Sequence, residues 1–401
     1  MIPETPEICV CDISMLPEEK LKELMLGRRE LTIAVLKSAP EIDTRVPLTP
    51  MGVSMLSAAG HHVVVESGAG SQANYYDIQY SESGADVTSS YEKLFKADII
   101  FKSSPFTIEE ASMTRKHQTL VSHLGVAQIS REYIQLLLKR KVTAIAMEYI
   151  MTEMDFYPIS HINSEIAGRN AIFVAAEHLG KQTGGKGVLF GGVTGISPSS
   201  VVIIGTGVAA LHAAKAACCL GADVKVFDDT MYKLINFRRR LGGEIFTSVL
   251  QPQVLNKALA SADVVIGAKS INAHPYPIVT SEMVAMMKRG SVIIDLNVET
   301  GSCFETSHPT TLKNPTFEVG GVIHYCLPNI TSLVPRTSSI ALSNVLYPLI
   351  NEIADNGGVN QTITFNHLLR SCVYCYNGFL TNQVLGKRLG IGTKNIDLYL
   401  L

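Results

Sequence analysis

The chain has 401 residues, 46% hydrophobic and 17% charged, which is long enough for more than one hydrophobic core. A formal net charge of −2 supplies no basic excess for nucleic acid or an anionic membrane surface. No stretch has the length and purity of a transmembrane helix, and the acidic N-terminus lacks the apolar core of a signal peptide, so a cytoplasmic protein is expected.

Residues 1–30 read as an acidic, partly helical extension, with helical spacing of Leu and Met over 17–26. An alternating pattern follows. Strands are predicted over 31–36, 62–66, 97–101, 119–122 and 143–146, and helices over 50–59 and 132–141. The strands are continuous apolar runs, as expected of a parallel sheet covered on both faces. A long helix over 164–181 can pass between domains, and the glycine-rich stretch 184–195 reads as tight turns. A second strand–helix series runs from Val201 to about Tyr325, and helical spacing returns over 340–353 and 364–377.

The eight cysteines give no framework. Cys9 and Cys11, and Cys372 and Cys375, are spaced like metal or redox pairs, yet no second pair completes a four-ligand site. Buried or unreactive thiols are expected, and no metal site is assigned.

The strongest local signal begins at Ser200. Four apolar residues form a strand, and the turn after it reads G-x-G-x-x-A, with Gly205, Gly207 and Ala210. Gly205 permits the tight turn, Gly207 lets backbone approach a pyrophosphate, and Ala210 lets helix and sheet pack closely. The helix over 209–220 turns its N-terminal amides toward the phosphates. Asp228 ends the next strand, 23 residues after Gly205, where an acid accepts hydrogen bonds from the adenine ribose. Asp229 adds a second negative charge, and the pair is expected to repel a 2′-phosphate, favouring NAD over NADP. Arg238, Arg239 and Arg240 read as a solvated helix face. Further strands over 262–268 and 291–296 end at Ala268-Lys269-Ser270 and Asn297-Val-Glu299, on the crevice side of a doubly wound sheet. Val208 in the turn, Lys233 beyond the acid and Ala268 complete the expected cofactor-binding set.

Several motifs occur in order. They are Asp43-Thr-Arg45-Val-Pro-Leu-Thr-Pro50, Gly60-His-His-Val-Val-Val-Glu-Ser-Gly-Ala-Gly70, Ser164-Glu-Ile-Ala-Gly-Arg169 and Gly191-Gly-Val-Thr-Gly195. The dinucleotide turn, 295–303 and Val334-Pro-Arg-Thr-Ser-Ser-Ile-Ala-Leu-Ser-Asn344 follow. Together they resemble the alanine dehydrogenases, grouped with the N-terminal part of nicotinamide nucleotide transhydrogenase, over nearly everything after residue 31.

The resemblance implies NAD-dependent, reversible oxidative deamination of L-alanine to pyruvate and ammonium. It implies an α/β fold of two doubly wound Rossmann-like domains with a cleft between them. Residues 1–160 and 337–401 would form a discontinuous substrate domain, and 161–336 the NAD domain, closing about helices near Ser164 and Ser338. Arg45 falls on the arginine that binds the substrate carboxylate, and His123 on the catalytic acid/base. Asn329 falls on an asparagine near nicotinamide and substrate, and Ser164 on a residue near the cofactor. A homo-oligomer is also implied, commonly a hexamer.

Three positions depart from the pattern. The family commonly has Lys-Val-Lys-Glu-Pro where this chain has the shorter Lys102-Ser-Ser-Pro105. Lys102 aligns with the first lysine; the second, which contacts substrate, is serine, so Lys102 replaces it only if the loop redirects it. Glu299 stands for the catalytic aspartate, and Met147 for a common tyrosine. Two other readings therefore accompany alanine dehydrogenase: a dehydrogenase of another amino or imino acid, and a non-catalytic NAD(H)-binding, transhydrogenase-like module.

Overall fold

The computed structural model describes residues 27–126, 129–269 and 277–400. The predicted helix at 17–26, Cys9, Cys11 and Ser270 lie outside them.

Six parallel strands are laid down first: β1 (Thr32–Val35), β2 (His62–Glu66), β3 (Ala85–Thr88), β4 (Ile99–Lys102), β5 (Thr119–Ser122) and β6 (Thr143–Ala146). Along β1, Ile33 and Val35 enter one core while Ala34 and Leu36 enter the core on the opposite face. That split follows from the two-residue period of a strand and explains the unbroken apolar runs.

The helix Pro158–Leu179 leads into a second sheet: β7 (Ser200–Ile204), β8 (Asp223–Asp228), β9 (Phe246–Val249), β10 (Val264–Gly267), β11 (Val292–Asp295), β12 (Thr316–Val319) and β13 (Val322–Tyr325). Its spatial order is β12-β13-β11-β10-β7-β8-β9. The order reverses between β7 and β10, the position at which doubly wound sheets open a crevice for ligands. Val201 and Ile203 face one core and Val202 and Ile204 the other, so this sheet is also covered on both sides.

The helix Pro335–Asp355 returns the chain to the first sheet, packing on Pro50–Ala58 and on Pro158–Leu179. Two strands then complete that sheet, β14 (Val373–Tyr376) and β15 (Phe379–Leu380), in the order β15-β14-β6-β5-β4-β1-β2-β3. Here the structure differs from the helix predicted over 364–377. Two short helices, Val359–Phe365 and His367–Ser371, stop before Val-Tyr-Cys-Tyr, whose β-branched and aromatic residues suit a strand. Asn377 and Gly378, with φ of 43° and 93°, make the tight turn of an antiparallel hairpin. The edge strands β3 and β9 also escaped the sequence reading, because only one of their eight residues is buried.

Cys372 and Cys375 are both buried free cysteines. Cys375 is fully buried on β14, and the Cys372 thiol donates to the Tyr149 carbonyl at 2.9 Å. Burial pushes the Cys372 thiol up to about 11. Among the described residues, no group of three or more His, Cys, Asp or Glu side chains is arranged to hold a metal ion.

Candidate active site

Both sheets direct the C-terminal ends of their parallel strands at one cavity of about 330 Å³. Arg45 lies on the loop after β1, Ser103 and Ser104 follow β4, and His123 follows β5; Glu299 follows β11 and Asn329 follows β13. Residues far apart in sequence therefore meet where a doubly wound architecture exposes loops rather than packed side chains.

Arg45 is buried and held as a fork. Its Nε donates to Asp43 Oδ1 at 2.9 Å, and its second terminal nitrogen to Asp43 Oδ2 at 2.7 Å. The other terminal nitrogen donates to Asn163 Oδ1 at 3.3 Å. Burial works to raise the Asp43 pKa, but the charge and hydrogen bonds of Arg45 outweigh it and hold the carboxyl below its usual range. Ser332 Oγ also donates to Asp43 Oδ1, and Val46 N donates to Ser339 Oγ. The arginine loop is thus pinned by the segment that joins the two sheets. The bidentate face of the guanidinium is spent inside the protein on Asp43.

Lys102 is not brought to the cavity. Its ammonium bonds both oxygens of Glu110 at 2.7 Å, and both side chains are largely buried. The reason is register. Lys102 is the last residue of β4, paired with Ser122, and it turns to the helix Ile108–Met113 that carries Glu110. The short loop instead supplies Ser103, whose Oγ donates to the Arg45 carbonyl at 3.0 Å, and Ser104, whose amide donates to Ser38 Oγ.

At His123 the Gly125 amide donates to Nδ1 at 3.0 Å, which puts the proton of the neutral ring on Nε2. Glu148 Oε1 stands 3.6 Å from the same Nδ1. That carboxylate is held by the Leu124 amide at 2.9 and 3.2 Å to its two oxygens. Glu148 was missed by sequence reasoning. The available signal was an acid two residues past β6, the parallel neighbour of the strand that His123 follows. Asn163, beneath Arg45, was missed as well; it precedes Ser164 on Pro158–Leu179.

Across the cavity, Thr331 Oγ1 donates to Asn329 Oδ1 at 2.5 Å, leaving the amide hydrogens as the donors Asn329 can offer. Glu299 sits in the first turn of the short helix Val298–Gly301. Below it Asp295 is buried, and burial raises its pKa against the hydrogen bonds from Ser302 and the Asn297 amide.

The dinucleotide turn has the required backbone. Gly205 has φ 115°, and a Cβ there would stand 2.7 Å from the Ala268 carbonyl oxygen. Only glycine fits. Gly207 precedes the twelve-residue helix Val208–Cys219 with no side chain capping its first amides. Ala210 is fully buried in the helix–sheet contact. Gly168 on Pro158–Leu179 lies so close to the Ala209 carbonyl that a side chain would collide with it. This cradle fits a dinucleotide pyrophosphate. Ser164 is half-buried on the same long helix, outside the cavity lining.

The acid at the end of β8 departs from the expected picture. Asp228 is only 2% exposed, and both its carboxylate oxygens accept hydrogen bonds. Thr206 Oγ1 donates to Oδ2 at 2.6 Å, the Asp229 amide to Oδ1 at 2.7 Å and the Lys269 ammonium to Oδ1 at 2.6 Å. Lys269 also reaches Asp229 at 3.0 Å, and Lys233 lies 2.9 Å from Asp229 and 3.8 Å from Asp228. Two ammonium groups offset the two carboxylates. One of them, Lys269, reaches across from the end of β10.

Comparison with known proteins agrees with this architecture. Residues 34–167 match the family model described as alanine dehydrogenase/PNT, N-terminal domain, and residues 171–383 match its C-terminal domain. An alanine dehydrogenase of Bacillus subtilis (strain 168) is 38% identical over 362 residues, covering 90% of this chain and 95% of that protein. One from Mycolicibacterium smegmatis is 38% identical over 349 residues, covering 86% and 94%. A solved L-alanine dehydrogenase superposes with a TM-score of 0.83 at 34% identity, covering 89% of this chain and 98% of that one. Among the described residues no helix is long and apolar enough to cross a membrane. With both family domains matched in order and two relatives this similar along nearly their whole length, the chain belongs to the alanine dehydrogenase/PNT family.

Proposed function

We propose that the chain is an NAD-dependent alanine dehydrogenase, in which L-alanine, NAD and water give reversibly pyruvate, ammonium, NADH and a proton. The observation that carries this reading is the convergence of Arg45, His123, Glu299 and Asn329 on one cavity between the two sheets. In this account residues 1–160 and 337–401 handle the substrate, and 161–336 the dinucleotide.

Gly205, Gly207, Val208 and Ala210 would hold the pyrophosphate, with Asp228, Lys233 and Ala268 at the edges of the nucleotide site and Ser164 on the helix beside it. When bound, the dinucleotide supplies the hydride acceptor. Arg45 offers the substrate carboxylate its edge beside Asn163, and Asn329 donates from the opposite wall. Lys102, locked to Glu110, supports the strand end and makes no substrate contact in this reading.

His123 moves the protons. A ring protonated at both nitrogens gives up the Nε2 proton to the carbinolamine oxygen as water leaves, or to the carbonyl oxygen of pyruvate. In the reverse direction Nε2 takes a proton from the attacking water. Either way Nδ1 must carry a proton while Nε2 exchanges one, so in the working site the Gly125 amide gives up Nδ1 and Glu148 is the carboxylate placed to accept from it. Glu299 carries its carboxylate on a stem about one methylene longer than aspartate, from a helix turn beside the substrate, where it orients water. Closure about the helices Pro158–Leu179 and Pro335–Asp355 would exclude solvent. The homo-oligomer implied by the resemblance belongs to this proposal and is read out by mass in solution.

A second reading keeps the chemistry and changes the amino acid, and Ser103, Ser104 and Glu299 at the cavity wall favour it. One assay separates the two. Purified protein is incubated with NADH, ammonium and a panel of 2-oxo acids while loss of NADH absorbance is followed. Fastest turnover with pyruvate supports the first reading. Turnover confined to a different 2-oxo acid selects the second, and tight NADH binding without turnover on any acid overturns both.

A further inference from the structure

Near the start of the helix Pro158–Leu179, Asn163 Oδ1 accepts from Arg45 Nη1 at 3.3 Å. Arginine has only N–H donors, so the asparagine atom that faces it is the oxygen, and the side-chain amide has one orientation. Among the described residues this is the only hydrogen bond that the Asn163 side chain makes. The helix that carries it is itself anchored: Gly168 packs against the Ala209 carbonyl, and Asn170 Nδ2 donates to the Ile330 carbonyl at 3.2 Å. Asn163 is therefore a fixed point against which the guanidinium rests.

The charge around Arg45 shows why that point matters. Asp43 stays ionised beside it, so the pair carries no net charge. A carboxylate entering the cavity is then held by how the remaining N–H groups of Arg45 are aimed, more than by charge at this wall. Three N–H groups are already taken, two by Asp43 and one by Asn163. The loop after β4 adds no cation, because Lys102 is paired with Glu110 and the Ser103 hydroxyl donates to the Arg45 carbonyl. An acid in place of Asn163 would grip the guanidinium more firmly and leave the group net negative, opposing a carboxylate.

Resting on the dehydrogenase reading above, we propose that Asn163 is a positioning residue for Arg45. As a neutral acceptor it fixes the guanidinium on the side that Asp43 does not hold, and so sets the affinity for the substrate carboxylate. It acts through Arg45 and not on hydride transfer, so the effect falls on KM for the substrate and spares kcat.

The test is steady-state kinetics of the full chain with NADH, ammonium and the 2-oxo acid that the wild type turns over fastest. Asn163→Asp is expected to raise KM for that acid by about thirtyfold or more, through the added charge. Asn163→Leu removes the acceptor without adding charge and should raise it by about five- to tenfold. Asn163→Gln keeps the amide and should lie closer to wild type than Asn163→Leu. In all three, kcat is expected to stay within about threefold and KM for NADH within about twofold. If Asn163→Asp does not fold, the comparison of Asn163→Leu with Asn163→Gln carries the test. An unmoved KM for the oxo acid, an aspartate variant no worse than the leucine one, or equal losses in kcat and KM for NADH overturns the proposal while leaving the dehydrogenase reading intact. A wild type that turns over no 2-oxo acid overturns both.

Discussion

His123 Nδ1 is contacted from two sides: by the Gly125 amide at 3.0 Å and by Glu148 Oε1 at 3.6 Å. The amide needs a lone pair on that nitrogen, whereas the carboxylate favours a proton there. Glu148→Gln keeps the shape of the side chain and removes the charge. It is expected to lower kcat by about ten- to a hundredfold while NADH affinity changes little, as measured by steady-state rates and fluorescence titration. Equal losses in both would mean that Glu148 is only part of the scaffold.

Arg45 and Asp43 form a buried pair whose partners should be inseparable in stability and separable in function. Arg45→Ala strands a buried carboxylate and is expected to cost about 3 to 5 kcal/mol of stability along with activity. Adding Asp43→Asn should recover part of the stability and none of the activity. Thermal unfolding and turnover of the three variants measure this directly. Recovery of activity in the double variant would show that Arg45 does not contact substrate.

Lys102 and Glu110 give the complementary case. Lys102→Met leaves Glu110 buried without its cation and is expected to cost about 3 kcal/mol or more, seen as a lower Tm. In protein that still folds, KM for the amino acid should stay within about twofold of wild type, since a residue removed from substrate contributes no binding. A large rise in KM with unchanged Tm would return Lys102 to the substrate site.

His324 is fully buried between β11 and β12, beside Phe317, with Nε2 2.8 Å from Thr306 Oγ1. Burial lowers its pKa in the folded protein. The unfolded chain takes up a proton near the ordinary value of about 6.5, and the folded state takes it up only at lower pH. The associated stability is full above that value and is lost as pH falls through it toward the lowered folded one. Tm should therefore decline between about pH 7.5 and 5.5, and His324→Gln should flatten that decline. An unchanged slope in the variant would assign the decline to other groups.

Much of the fold was legible because both sheets are covered on two faces, so their inner strands appear as unbroken apolar runs such as 201–204. The edge strands β3 and β9 lacked that signature, and β14 was hidden beside helical spacing until Asn377-Gly378 turned the chain. At the site, sequence could place Arg45, His123, Glu299 and Asn329 at strand ends, where the structure gathers them around one cavity. It could not show how polar groups pair across strands. Lys102 went to Glu110, and Asp228 was taken by Lys269, because those partnerships depend on register and on a side chain crossing from another strand.

The most direct test of the proposed function follows the hydrogen itself. L-Alanine deuterated at Cα is incubated with the protein and NAD, and the NADH formed is weighed by mass spectrometry. Direct transfer between the substrate α-carbon and the nicotinamide predicts NADH heavier by one deuterium, and none formed by His123→Ala that still binds NADH. Unlabelled NADH, or turnover undiminished in that variant, would contradict the account.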